Sequence, residues 1–141
     1  EKSQLETIRR VPLVSEQGEG SEDANVCVVV KTAKGLTDIL VARDVEDPLE
    51  RTGTGALEAE ALALTFNGDL CLVRRRADGS AAHVVLCNAT ELRLGSLHVR
   101  LTGIVSHIAL EVEPQHVRVV RGDATDVNGV WLDGLSVPIT P

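Results

Sequence analysis

The sequence predicts an all-β protein, an antiparallel β-sandwich or meander of roughly ten short strands. Apolar and polar residues alternate with period two along most of the chain. Turn dipeptides such as Lys34-Gly35, Asp78-Gly79, Gly95-Ser96 and Asp133-Gly134 separate these runs at strand-like spacing. Only residues 56–66 carry a composition that also suits a helix.

Taken in order, residues 7–14 (TIRRVPLV) read as a short strand, which Pro12 places at a sheet edge. Residues 16–25 (EQGEGSEDAN) are acidic, rich in Gly and Ser and without apolar periodicity, and read as a mobile loop. VCVVVKTA (26–33) and TDILVAR (37–43) form a hairpin about Lys34-Gly35, and residues 44–55 form a longer connection. In ALEAEALALTF (56–66) the second half reads as strand, while the first half admits strand or helix. LCLVRRR and AHVVLCN flank Asp78-Gly79, and ELRL and LHVRL flank Gly95-Ser96, with Leu92, Leu94, Leu97, Val99 and Leu101 set to face one core. HIALEVE then meets HVRVV across Pro114-Gln115, and VWL meets LSVPI across Asp133-Gly134.

At 141 residues the chain is read as a single domain, long enough to bury a core. It contains no methionine, so Glu1 is not read as a translation start; processing, or excision from a longer chain, accounts for that. A net charge of −7 argues against nucleic acid as a partner, because phosphate binding needs clustered positive charge. The apolar runs are too short for a membrane-spanning helix, so no membrane insertion is expected. One Trp, one Phe and no Tyr leave little for aromatic stacking.

The stretch 68–90 (GDLCLVRRRADGSAAHVVLCNAT) holds most of the residues that look like chemistry. Cys27, Cys71 and Cys87 sit in apolar strands without metal-ligand spacing and read as buried free thiols, although a Cys71–Cys87 bridge across the hairpin is left open. His83, His98, His107 and His116 are scattered through predicted strands, so no metal site is expected. No phosphate- or dinucleotide-type glycine motif and no serine elbow is present, and no cofactor is expected. Asn88-Ala89-Thr90 matches a glycosylation triplet, which matters only in a eukaryotic secretory setting. Arg74, Arg75 and Arg76 alternate across the sheet. They either solubilise a hairpin end and blunt an edge, or grip an anion such as a carboxylate or a sulfated sugar. Trp131 reads as packing, and is also the best candidate for stacking on a sugar.

The order of elements from Val28 to Leu101 resembles the C-terminal β-domain of heparinase II/III-like polysaccharide lyases. The resemblance rests on a strand beginning Thr37-Asp38, on FNGDLCLVRRRADG, and on NATELRLG, where Ala89 replaces a usual Gly. It covers somewhat more than half the chain and implies a non-catalytic accessory domain packed against a catalytic neighbour, in a secreted or periplasmic protein. The family's catalytic Tyr and His lie in other domains, so no catalytic residue carries over to this chain. Two alternatives stand beside it: a module that binds acidic polysaccharide through Arg74–Arg76 and Trp131, and a β-rich protein that assembles through its sheet edges.

Overall fold

The computed structural model describes residues 5–15, 25–43 and 56–141. The loop expected at 16–25 therefore lies outside the described residues except for Asn25, as does the whole of the 44–55 connection. Among the described residues the chain forms β1 (Leu5–Val11), β2 (Val14–Ser15), β3 (Val26–Thr32), β4 (Thr37–Ala42), β5 (Leu57–Ala59) and β6 (Leu64–Arg75). There follow β7 (Ala81–Leu94), β8 (Leu97–Val112), β9 (Val117–Arg121), β10 (Val127–Leu132), β11 (Leu135–Ser136) and β12 (Ile139–Thr140). The fold is all-β, as the alternation predicts. Residues 57–59 are strand, and the helical propensity of the following Glu and Ala yields only a 3-10 turn over Glu60–Leu62. Ala63, in the left-handed region at φ 51°, ends that turn and admits the chain to β6.

All twelve strands belong to one sheet with the main order β1-β3-β4-β6-β7-β8-β10-β11. Pairing is antiparallel except where β12 runs parallel to β9. The layering comes from β6, β7 and β8, which span 12, 14 and 16 residues; β7 runs between the other two, while β6 and β8 each change partner along their other edge. The first part of β6 pairs with β5 and the last part with β4. Likewise β8 pairs with β10 near Val99 and with β9 near Leu110. One sheet thus folds over itself, and the inner faces of its two halves meet in a single core containing Phe66, Ile39, Leu86, Leu92 and Ile108.

Local irregularities make the corner. Burial in β6 falls on Leu64 and Phe66 and then switches to Cys71 and Val73, across a register shift between Asn67 and Gly68. A Cβ on Gly68 would lie 2.5 Å from the Phe66 ring and 2.6 Å from the Ala89 Cβ, so only glycine lets β6 and β7 approach there. In β7, Asn88 has φ 47° and donates from Nδ2 to Asp69 at 3.1 Å. The β7–β8 pairing skips from Ala89–Val105 to Glu91–Arg100, which leaves Thr102, Gly103 and Ile104 exposed on the outside of the bend. Arg43, only 9% exposed, donates from Nε to the Gly68 carbonyl and clamps the same corner.

The strand alternation also sets two outer faces. On the half built from β3, β4, β6 and β7, Val28, Leu40, Leu72 and Val85 lie in one cross-strand row and are not part of the core. The next row carries Asp38, Arg74, His83, Glu111 and Arg118. Charges therefore border an apolar stripe.

Candidate functional site

Four turns converge at one end of the folded sheet. The β6–β7 turn is closed by Gly79 N–H donating to Arg76 O and Arg76 N–H donating to Ser80 O, with Gly79 at φ 89°. Gly95 shapes the β7–β8 turn at φ 57°, and Asp133 N–H reaches across from the β10–β11 turn to Ser96 O at 3.0 Å. In the β8–β9 turn, Glu113 N–H donates to His116 O. Together these turns surround a cleft of about 350 Å3 whose apolar lining comes from Leu94, Leu97, Val112 and Leu132.

The three arginines singled out by sequence diverge. Arg74 points to the outer face and binds Asp38 through Nε and Nη2 at 2.7 and 2.8 Å. That contact holds the Asp38 carboxyl below its ordinary value. Arg76 donates to the Ala81 carbonyl at 2.8 Å and the Val112 carbonyl at 2.7 Å, tying the β6–β7 turn to the end of β8. Arg75 alone lines the cleft without a hydrogen bond or ion pair among the described residues. Partial burial lowers its pKa from the ordinary guanidinium value.

Trp131 sits outside this cleft, on the outer face of the other half, and lines a hollow of about 360 Å3 with Arg93 and His98. The two recesses adjoin, sharing Ser96, Leu97 and Asp133. Trp131 stacks on His98 with ring centroids 4.8 Å apart, and its six-membered ring lies over Gly129, where a Cβ would come within 2.5 Å of it. His98 Nε2 is 2.5 Å from Glu91 Oε2. Glu91, His98 and Trp131 thus form a packed chain across β7, β8 and β10. Its imidazole is held between a carboxylate and an indole, with no serine or cysteine among its hydrogen-bond partners in the described residues, and this is not the geometry of an activated nucleophile.

No family model matches this chain, and neither a curated protein nor a solved structure does. The chemistry of the site must be read from its own side chains.

The cysteines separate by register. Cys71 lies opposite Leu86 and Cys87 opposite Leu70, so the two thiols occupy opposite faces of the hairpin and the bridge left open by sequence does not form. Cys27 and Cys71 are free and buried in the core, while Cys87 is half-buried on the outer face. Desolvation raises the pKa of all three thiols. His116 lies in the β8–β9 turn rather than in a strand, because Pro114-Gln115 ends β8 at Val112. Among the described residues no three His, Cys, Asp or Glu side chains gather as metal ligands, and no helix is long and apolar enough to cross a membrane. The Asn88 amide group of the glycosylation triplet is half-buried and engaged by Asp69.

Sequence reasoning missed Ser96, Asp133 and the Glu91–His98 contact. Gly95 and Gly134 marked the turns that carry the first two, but which turns share an end depends on how the long strands bend.

Proposed function

We propose that this chain is a non-catalytic accessory β-domain that packs against a catalytic neighbour in a secreted or periplasmic polysaccharide lyase of the heparinase II/III-like kind. The observation that carries the reading is the apolar row Val28–Leu40–Leu72–Val85 on the outside of the sheet, together with Val30 and Leu70 beside it. Leu72 is 37% exposed and Ile8, on the neighbouring edge strand, 61%. A contiguous apolar outer face marks an interaction surface more often than a solvated one. The bordering pairs Asp38–Arg74 and Glu111–Arg118 supply the polar rim such a surface needs. The absence of tyrosine agrees with a supporting role, since the Tyr chemistry of those lyases lies in other domains.

The test begins with the encoded sequence before Glu1, where helical repeats carrying Tyr and His are expected. The longer chain then cleaves uronate-containing polysaccharide, followed by the ultraviolet absorbance of the unsaturated product. Leu72→Glu lowers the thermal stability of that longer chain while leaving the isolated 141 residues within about 0.5 kcal/mol of their own stability. Cleavage by the isolated chain, or an upstream sequence without such repeats, overturns the proposal.

A further inference from the structure

Arg75 ends β6 with the inward parity of Cys71 and Val73, so its side chain extends over the open end of the core. Its Nη2 atom comes within 3.4 Å of the place a Cβ on Gly95 would occupy, which puts the guanidinium across the cleft from its own strand and against the β7–β8 turn. A guanidinium carries five N–H donors in a planar fork. Held partly out of water and without an acceptor among the described residues, that fork favours an anion that brings two oxygens in one plane. Beneath it Leu94, Leu97 and Leu132 offer an apolar floor, and Asp78, Glu113 and Asp133 stand around the opening. Those carboxylates repel a dianion more than a monoanion, which disfavours phosphate and sulfate. The volume of about 350 Å3 is at the small end of ligand pockets.

We propose that this cleft binds a small carboxylic acid, its carboxylate gripped by the Arg75 guanidinium and its carbon skeleton resting on Leu94, Leu97 and Leu132. The site is separate from the apolar outer face and does not depend on the domain having a lyase neighbour. Two sources of the same chemistry fit, a hydrocarbon acid that uses the floor and a sugar acid whose hydroxyls reach Ser80, Ser96 and Asp133.

Amide NMR titration of the intact chain distinguishes them, with hexanoate, glucuronate, inorganic phosphate and neutral hexanamide as the probes. Saturable shifts at Gly95, Ser96 and Ala81 are expected with an acid, and the tighter of hexanoate and glucuronate identifies the source. Arg75→Met weakens acid binding by at least about tenfold, the loss of one charge-assisted contact, whereas Arg74→Gln leaves it unchanged. Arg75→Lys, which keeps the charge but not the fork, falls between the wild type and Arg75→Met. The proposal is overturned by saturable shifts from neither acid, by phosphate binding as tightly as the acids, or by unchanged affinity in Arg75→Met. Should Arg75→Met fail to fold, equal shifts from hexanoate and hexanamide on the unaltered protein overturn it equally.

Discussion

Asp38 and Arg74 face each other on neighbouring strands, joined by two hydrogen bonds of 2.7 and 2.8 Å. On the same cross-strand row Arg118 binds both oxygens of Glu111. Hydrogen bonding from Arg74, then its charge, holds the Asp38 carboxyl below 3.8, and Arg118 holds Glu111 below 4.5 in the same way. Both carboxyls therefore bind protons more weakly folded than unfolded. Their stabilisation is complete above the unfolded values and is lost as pH falls through the lowered folded values. Denaturant unfolding from neutral to acidic pH should show this acid loss, and Asp38→Asn should flatten part of it. At neutral pH the same change costs no more than about 1 kcal/mol, because the pair is solvent-screened. An acid limb identical in Asp38→Asn would remove the pair from the account.

The thiols offer a second check. The thiolate is the reactive form, and burial raises the pKa of Cys27 and Cys71 while closing them to solvent. With a disulfide-exchange reagent under native conditions, Cys87 reacts slowly, and Cys27 and Cys71 react only at the rate of unfolding. Three thiols titrating promptly in the folded protein would contradict the placement, as would a Cys71–Cys87 disulfide found by mass spectrometry.

Gly68→Ala tests the corner. The new methyl group meets Phe66 and the Ala89 Cβ, both fully buried, so neither can yield without moving a strand. The expected loss is about 1–3 kcal/mol. Gly103→Ala, at the exposed bend where a Cβ meets nothing within 4 Å, serves as the control and stays close to wild type. Equal effects from the two substitutions would mean that the bend does not sit at Gly68.

Trp131 is the only tryptophan, so its fluorescence reports one place in the molecule. His98→Ala removes the stacked ring, and Gly129→Ala displaces the indole from the backbone it covers. Both should shift the emission to longer wavelength. His98→Ala should cost about 0.5–1 kcal/mol, the scale of a cross-strand aromatic pair. Unchanged emission in both variants would mean the indole lies elsewhere.

The strand-by-strand reading of the sequence survives well because period-two alternation and turn residues are local signals. Gly35, Gly79, Gly95 and Gly134 all have the positive φ their turns demand. The predicted inward set from Leu92 to Leu101 is buried as expected. What local signals do not carry is continuity. LCLVRRR, AHVVLCN and HIALEVE look like separate short strands, yet each is one part of a longer bent strand shared by both halves of the sheet. Residues such as Asn88 and Gly68, which look like strand ends, are the places where those strands bend.

The sequence by itself determined the all-β class, the turns and the inward residues, since these follow from side-chain alternation and the few residues able to adopt positive φ. Only the tertiary structure decided which turns share an end, that Cys71 and Cys87 face apart, and that of three adjacent arginines Arg75 alone lies over a cleft without a partner among the described residues. The physical reason is register. A one-residue slip or bulge reverses every side chain beyond it, and bulges are fixed by packing between strands far apart in the chain.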